Sequence, residues 1–450
     1  MKRILVKCGW LVSMDDRLGN LCNADILIAG DRIEAIGHSL PEGADEVIDG
    51  SGMIVMPGLI NMHLHTFQSG FRGAGSEWLG PDYFRIFYGD IATRFGPEDN
   101  YLGTLFGALN QLDSGVTTLF DYSHNLRNLE QAERSVDALV DSGIRGVFAH
   151  GDGLREPAKP GSFPSFRPHP RDRVEALQKS RFAREGRVKL ALAIAGPHWA
   201  DLEASLHNFR LARDLGLLSS SHVTRPNAKA MAPDGYRRLL EEKLLGPDHN
   251  LVHCNHLTSD ELGPLLDAGC SVTSTNTNEL HDYPGPTAMM NVIAHGALPS
   301  IGIDVEPMVC GDLWREMQTA LMFARIENRL RNGAGAMIGS RDALRWATTG
   351  GARALMMENE IGALRPGMKA DVIMLRTGDL NLFPVHDPLM SAVEQSHAGN
   401  VDTVIVDGII RKRHGHLLFD EARRRALGEE LIESVRRLSA EAGYAPPSAS

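Results

Sequence analysis

From about residue 56 to residue 327 the chain alternates short apolar, β-branched runs with segments of helical periodicity, and few folds accept that rhythm. Residues 115–121, 145–150, 188–195, 217–223, 250–254, 271–274 and 299–304 read as strands. Residues 101–113, 129–142, 202–215, 235–244, 259–268, 287–295 and 312–327 read as helices. Strands that alternate with helices pair in parallel, because each helix supplies the crossover. About eight such units predict an α/β fold of the (β/α)8 TIM-barrel type, here assigned to 56–361.

The two ends have a different texture. Residues 4–6, 24–28, 32–36 and 46–48 are brief β-prone runs, with Gly30-Asp31 as a hairpin turn. After about residue 362 β texture returns at 371–375, 401–406, 409–411 and 416–419, with Asp407-Gly408 as a turn. A second β segment that completes a module begun at the N-terminus predicts a small composite β-sandwich from 1–55 and 362–420. Residues 421–442 read as a charged amphipathic helix, and the Pro/Ser-rich remainder to 450 as a flexible tail. Residues 156–172, Pro-rich and weakly patterned, read as a long loop.

Bulk properties exclude several functions. A net charge of -11 offers no basic excess to neutralise phosphates, which argues against nucleic-acid and anionic-membrane partners. No run approaches the roughly 20 apolar residues of a membrane span. The five cysteines are scattered and contain no Cys-x-x-Cys pair, as suits reduced thiols in a cytoplasmic protein. The first residues carry no signal-peptide pattern. The expected partner is a small-molecule substrate.

Chemistry-bearing residues fall at the C-terminal ends of the expected strands, the face where barrel enzymes work. His63 and His65 lie one residue apart at the end of an apolar run, so a strand presents both on one face. His222, His253 and Asp304 each end a further strand. Each alone reads as an ordinary loop or capped residue; their joint occurrence is the signal. Three neutral imidazoles (His63, His65, His222) and one carboxylate (Asp304) suit a divalent transition metal with room left for water. Such an ion lowers the pKa of water toward roughly 7. Asp304 is then placed to take a proton, and His253 to orient or polarise the group under attack.

At this point the chain resembles a known family. Pro57-Gly-Leu-Ile-Asn-Met-His63-Leu-His65, Ser114-Gly-Val-Thr-Thr, Ser221-His222-Val, Val252-His253-Cys-Asn-His-Leu and Ile361-Gly-Ala-Leu-Arg-Pro-Gly-Met-Lys-Ala-Asp371 are similar to the amidohydrolase superfamily. Within it they resemble the cytosine deaminase-like branch, with its guanine and adenosine-type deaminases and triazine hydrolases. The resemblance covers about residues 1–420. It implies one catalytic zinc or iron, with manganese kept as a further alternative. It also implies His63, His65, His222 and Asp304 as ligands and His253 as the catalytic histidine beside them. The resemblance further implies one metal rather than two, and no obvious candidate stands out for the bridging carboxylated lysine of two-metal members, Lys189 lying early in its strand. Members of the branch often assemble, so a homo-oligomer stays open.

One departure bears on the reaction. Deaminases of the branch usually carry a glutamate three residues after the third histidine, where it protonates the substrate ring; here that position is Arg225. Arginine keeps its proton and cannot be that acid, although it can bind a carboxylate or a carbonyl oxygen. Arg225 is therefore read either as a substrate contact or as the partner of an acid such as Glu306. Alternatively Glu306, two residues after Asp304, faces the pocket and replaces the missing glutamate. The polar run from Thr275 onward is expected to form a substrate loop, with Asn276, Glu279 and His281 as contacts. His124, His150 and the pair His198-Trp199 also fall at or after strand ends and are candidate pocket residues. The leading reaction is hydrolytic deamination of an amino-substituted N-heterocycle. Hydrolysis of an amide, carbamate, thiocarbamate or halide is the alternative, and a catalytically idle binding barrel the rival from another class.

Overall fold

The rhythm closes on itself in the computed structural model, which describes residues 2–41, 43–154, 167–282, 286–333 and 337–445. Eight strands follow one another around a parallel sheet: β5 (Leu59–Leu64), β6 (Val116–Leu126), β7 (Arg145–Asp152), β8 (Val188–Ala193), β9 (Ser219–Val223), β10 (His249–His253), β11 (Ser271–Ser274) and β12 (Ser300–Ile301). Every residue of β5 and nearly every residue of β6 is buried, as expected of strands covered on both faces. Crossover helices begin on side-chain caps. Asn128 accepts from the Gln131 amide at 2.9 Å, and Asp201 from that of Ala204 at 2.8 Å.

The last strand returns to the first. The amides of Ile303 and Asp304 both donate to the His63 carbonyl at 2.9 Å, and the His65 amide donates to the Asp304 carbonyl at 2.9 Å. Gly302 permits this approach, since a Cβ there would lie 2.6 Å from the His63 nitrogen. β12 is shorter than the expected 299–304: beyond Ile301 the chain keeps a single parallel bridge, Leu64 to Asp304, where Asp304 adopts φ 78°.

The chain ends form a second eight-stranded sheet. Its N-terminal strands are β1 (Arg3–Val12), β2 (Asn20–Ala29), β3 (Arg32–Gly37) and β4 (Glu46–Pro57). Its C-terminal strands are β13 (Val372–Arg376), β14 (Val401–Val406), β15 (Ile409–Arg413) and β16 (His416–Leu417). β4 joins the two halves, parallel to β1 and antiparallel to β13. The sheet folds back on itself where the Ile33 amide donates to the Met368 carbonyl at 2.9 Å and the Ala370 amide to that of Asp31 at 2.9 Å. Ile4, Val6, Ile26, Ile28, Val372 and Ile405 fill the enclosed core. The expected boundary at 55/56 falls inside β4, whose strand runs to Pro57 and passes through Gly58 straight into β5.

Several segments were silent in sequence. Residues 66–94 form short 3-10, α and π turns carrying an aromatic cluster that includes Phe67, Phe71, Tyr83 and Phe87. Helices Ser340–Trp346, Thr349–Ala354 and Pro388–Gln395 also lack a long enough periodic signal. Most of the expected 156–172 loop and the end of the expected tail lie outside the described residues; 171–172 open the helix Arg171–Arg181. The helix Glu421–Glu441 stands as expected and is anchored by Arg437, whose Nη2 lies 2.6 Å from both Asp99 carboxylate oxygens. Among the described residues no helix is long and apolar enough to cross a membrane.

A buried ion network joins the barrel to the second sheet. Arg145 on β7 pairs with Asp371 (Nε–Oδ2 2.8 Å, Nη2–Oδ1 3.0 Å) and with Asp407, which also meets Arg187 at 2.9 Å. Removing the cation would strand the Asp371 carboxylate in a dry interface, while Asp407 would keep Arg187. Arg145→Met is therefore expected to cost about 3–5 kcal/mol in urea unfolding. Lys189→Gln, at an exposed 3.8 Å pair with Glu360, should stay within about 0.5 kcal/mol.

Candidate active site and metal centre

The closure of β12 onto β5 brings four donors together. His63 Nε2 lies 3.1 Å from Asp304 Oδ1 and 3.2 Å from His222 Nε2, and His65 Nε2 lies 3.2 Å from Asp304 Oδ1. One ligand atom from each of the four lies within 4.8 Å of all the others. Donors held at 2.0–2.2 Å around one tetrahedral ion sit roughly 3.3 Å apart, so the spacing fits. The tautomers fit too. His65 Nδ1 is 2.8 Å from the Tyr122 carbonyl, so that nitrogen carries the proton and Nε2 offers its lone pair to the cluster. Burial pushes His63 down to about 4 and His222 well below its usual range, which keeps both neutral and able to ligate. Burial works against the Asp304 carboxylate, but the imidazoles clustered around it, the His253 charge among them, hold its pKa well below the usual range. Three imidazole nitrogens and one carboxylate are a donor set for a divalent metal.

Asp304 uses its oxygens differently. Oδ1 faces His63 and His65, whereas Oδ2 accepts from Asn278 Nδ2 at 2.6 Å and lies 3.7 Å from His253 Nε2. The far nitrogen of His253, Nδ1, is 3.2 Å from Glu279 Oε1 and 3.2 Å from Thr275 Oγ1. Burial would lower the His253 pKa, but Glu279 and Asp304 outweigh it and raise the value. His253 and Asp304 both hold left-handed backbone conformations, φ 76° and 78°, that non-glycine residues rarely adopt.

The cluster opens into a cavity of about 340 Å³. His65, His222, His253 and Asp304 form one end, and Tyr83, Phe84, Tyr88, His124 and Trp199 form aromatic walls. His124 stacks on Tyr88 with centroids 4.7 Å apart, and Phe84 meets Trp199 at 5.3 Å. Asp152, His169 and Asn208 add polar groups.

The expected substrate contacts are placed otherwise. The segment after β11 is a helix, Asn276–Asp282, and helical spacing turns Asn278 and Asp282 into the cavity in place of the three expected residues. Asn276 is buried against Glu316, with Nδ2 to Oε1 3.0 Å. Glu279 holds His253, and His281 Nε2 meets the Trp78 carbonyl at 2.7 Å. Glu306 does not face the pocket. It is buried with Arg72 Nε at 3.1 Å, Asn110 Nδ2 at 3.3 Å and the Ser69 hydroxyl, because the left-handed turn at Asp304 breaks the strand alternation on which that expectation relied. Arg225 lies over the Trp199 ring, 4.6 Å from its centroid, and Glu306 is paired with Arg72. His124 and Trp199 line the cavity; His150 stands behind the wall, 2.9 Å from His169, and His198 bonds Asn227 Oδ1 at 2.9 Å. Lys189 is half-exposed and paired with Glu360, away from the cluster. Asn278, Asp282 and Tyr122 were missed; only the i, i+4 spacing of the first two gives a sequence signal, and it requires the helix to be known.

A closed eight-stranded barrel with a metal-binding cluster at its strand ends defines the class of barrel hydrolases that use a divalent metal. The Amidohydrolase family model matches residues 54–410, and the chain belongs to that family. It is 30% identical to a 5-methylthioadenosine/S-adenosylhomocysteine deaminase of Caldanaerobacter subterraneus subsp. tengcongensis, over 91% of this chain and 93% of that one. It is 27% identical to a 5'-deoxyadenosine deaminase of Methanosarcina mazei, over 98% of each. An adenosine deaminase from Xanthomonas campestris with bound zinc superposes with a TM-score of 0.82 at 19% identity, over 97% of this chain and 98% of that one. The protein is thus a metal-dependent amidohydrolase acting on carbon–nitrogen bonds other than peptide bonds.

Glu279 is expected to act through His253. Glu279→Gln should lower kcat/KM by about 10–100-fold while bound metal, read by mass spectrometry, is unchanged.

Proposed function

We propose that the chain is a hydrolytic deaminase of amino-substituted N-heterocycles, with 6-aminopurine nucleosides as the first substrate class. The ion it works with is zinc, held by His63, His65, His222 and Asp304. When bound, it supplies a nucleophilic water at neutral pH. The observation that carries the reading is the split use of Asp304, Oδ1 toward the ligand histidines and Oδ2 toward Asn278 and His253. A structural site has no use for a carboxylate oxygen turned into a cavity, whereas a hydrolase needs a proton acceptor there.

Asp304 takes the proton of the attacking water through Oδ2, which Asn278 fixes in place. His253 faces the oxygen that forms on the attacked carbon and stabilises its developing charge, with Glu279 holding the ring. The aromatic walls stack a planar heterocycle and exclude water. A volume of about 340 Å³ lies within the range of small-molecule pockets. Deamination of adenosine derivatives by the named relatives supports the substrate class. The five cysteines, free and three of them buried, agree with a cytoplasmic location.

Ammonia release from adenosine, 5'-deoxyadenosine, 5'-methylthioadenosine, guanine and cytosine tests the reading. At least one 6-aminopurine nucleoside should be turned over, and Asp304→Asn should reduce the rate by at least about 100-fold. Metal-loaded protein that releases no ammonia from any of them would contradict it and favour a substrate with another leaving group.

A further inference from the structure

Deamination at this site leaves one proton without a donor. The ring nitrogen beside the attacked carbon must be protonated as water adds, Arg225 cannot give up its proton, and Glu306 is turned away. Among the described residues the carboxyls that line the cavity are Asp152, Asp282 and Asp304. Asp304 is the proton acceptor. Asp152 is engaged by Arg173 at 2.9 Å. Asp282 remains. It lies one helical turn after Asn278 on the same face, and Asn278 touches Asp304 directly. Its Oδ1 accepts from the Gly80 amide at 2.5 Å, which fixes the carboxyl, and among the described residues no hydrogen bond engages Oδ2.

We infer that Asp282 is the catalytic acid of this site, giving its proton to the ring nitrogen of the amino-heterocycle. The inference rests on the deamination reading. Charged and titratable groups around it are Asp304, His253 and His281. Burial, joined by the Asp304 charge, outweighs the Gly80 amide and the two histidines and raises the Asp282 pKa above the usual carboxyl range. That direction suits an acid which must still hold its proton when substrate arrives.

The protons and bonds balance without a further reactant. Water oxygen bonds to the ring carbon while one water proton passes to Asp304. The carbon–nitrogen π pair moves onto the ring nitrogen, which takes the proton of Asp282. Asp304 then hands its proton to the exocyclic amino group, the carbon–nitrogen bond breaks, and its electron pair leaves with ammonia. The remaining hydroxyl proton returns to Asp282 as the carbonyl forms.

The test compares wild type, Asp282→Asn and Asp282→Glu on the substrate that wild type deaminates fastest, across about pH 5 to 9, with metal content and thermal midpoint measured in parallel. Asp282→Asn should lose at least about 100-fold in kcat with KM within about threefold, and should lose the alkaline limb of the pH profile. Metal content and midpoint should not change, and Asp282→Glu should recover part of the rate with the limb restored. An active wild type alongside an Asp282→Asn variant that keeps more than about a third of kcat would overturn the inference and leave the deamination reading standing. Loss of metal or of folded protein in both variants would also overturn it, in favour of a structural role. Wild type that binds metal but releases no ammonia from any substrate would overturn both.

Discussion

The site depends on a backbone contact before it depends on any side chain. Two amides beyond β12 converge on the carbonyl of His63, and that closure is what sets Asp304 beside His63, 241 positions earlier in the sequence. Gly302 allows the strands to come that near, and the left-handed turn at Asp304 then aims its carboxylate across the mouth of the barrel. A side chain at 302 would press on β5 itself. The strain held at Asp304 and His253 is sustained by the buried hydrogen-bonded surroundings of both residues.

The second sheet has a supporting part in this arrangement. β4 belongs to it and runs through Gly58 into β5, so the strand bearing His63 and His65 is a continuation of the sheet built from both chain ends. Arg145, on β7 two strands along the barrel from β5, pairs with Asp371 just before β13 and Asp407 just after β14. Because an unpaired buried charge costs far more than the pair contributes, this network resists partial opening between barrel and sheet. The first histidines are thus held from below as well as from the side.

Much of this was legible in the residues. Strand and helix periods differ, 2.0 against 3.6, so the barrel could be read from patterning, and strand ends located His63, His65, His222, His253 and Asp304. What failed did so for local reasons. Asn276, Glu279 and His281 were read in an irregular loop, whereas a helix there exposes the neighbours Asn278 and Asp282. Glu306 was placed by strand alternation, which the positive φ at Asp304 breaks. The aromatic roof of residues 66–94 mixes turns of three different pitches and so carries no single period to detect. Arg225 stood out by its chemistry, yet only coordinates show that it lies over Trp199.

The central claim is that one metal ion is held by exactly these strand ends, and anomalous diffraction at the zinc edge from crystals of the metal-loaded protein tests it most directly. The account predicts a single anomalous peak per chain, bonded to His63, His65, His222 and Asp304. Two peaks at the barrel mouth, or a single peak that leaves out any of the four, would contradict it.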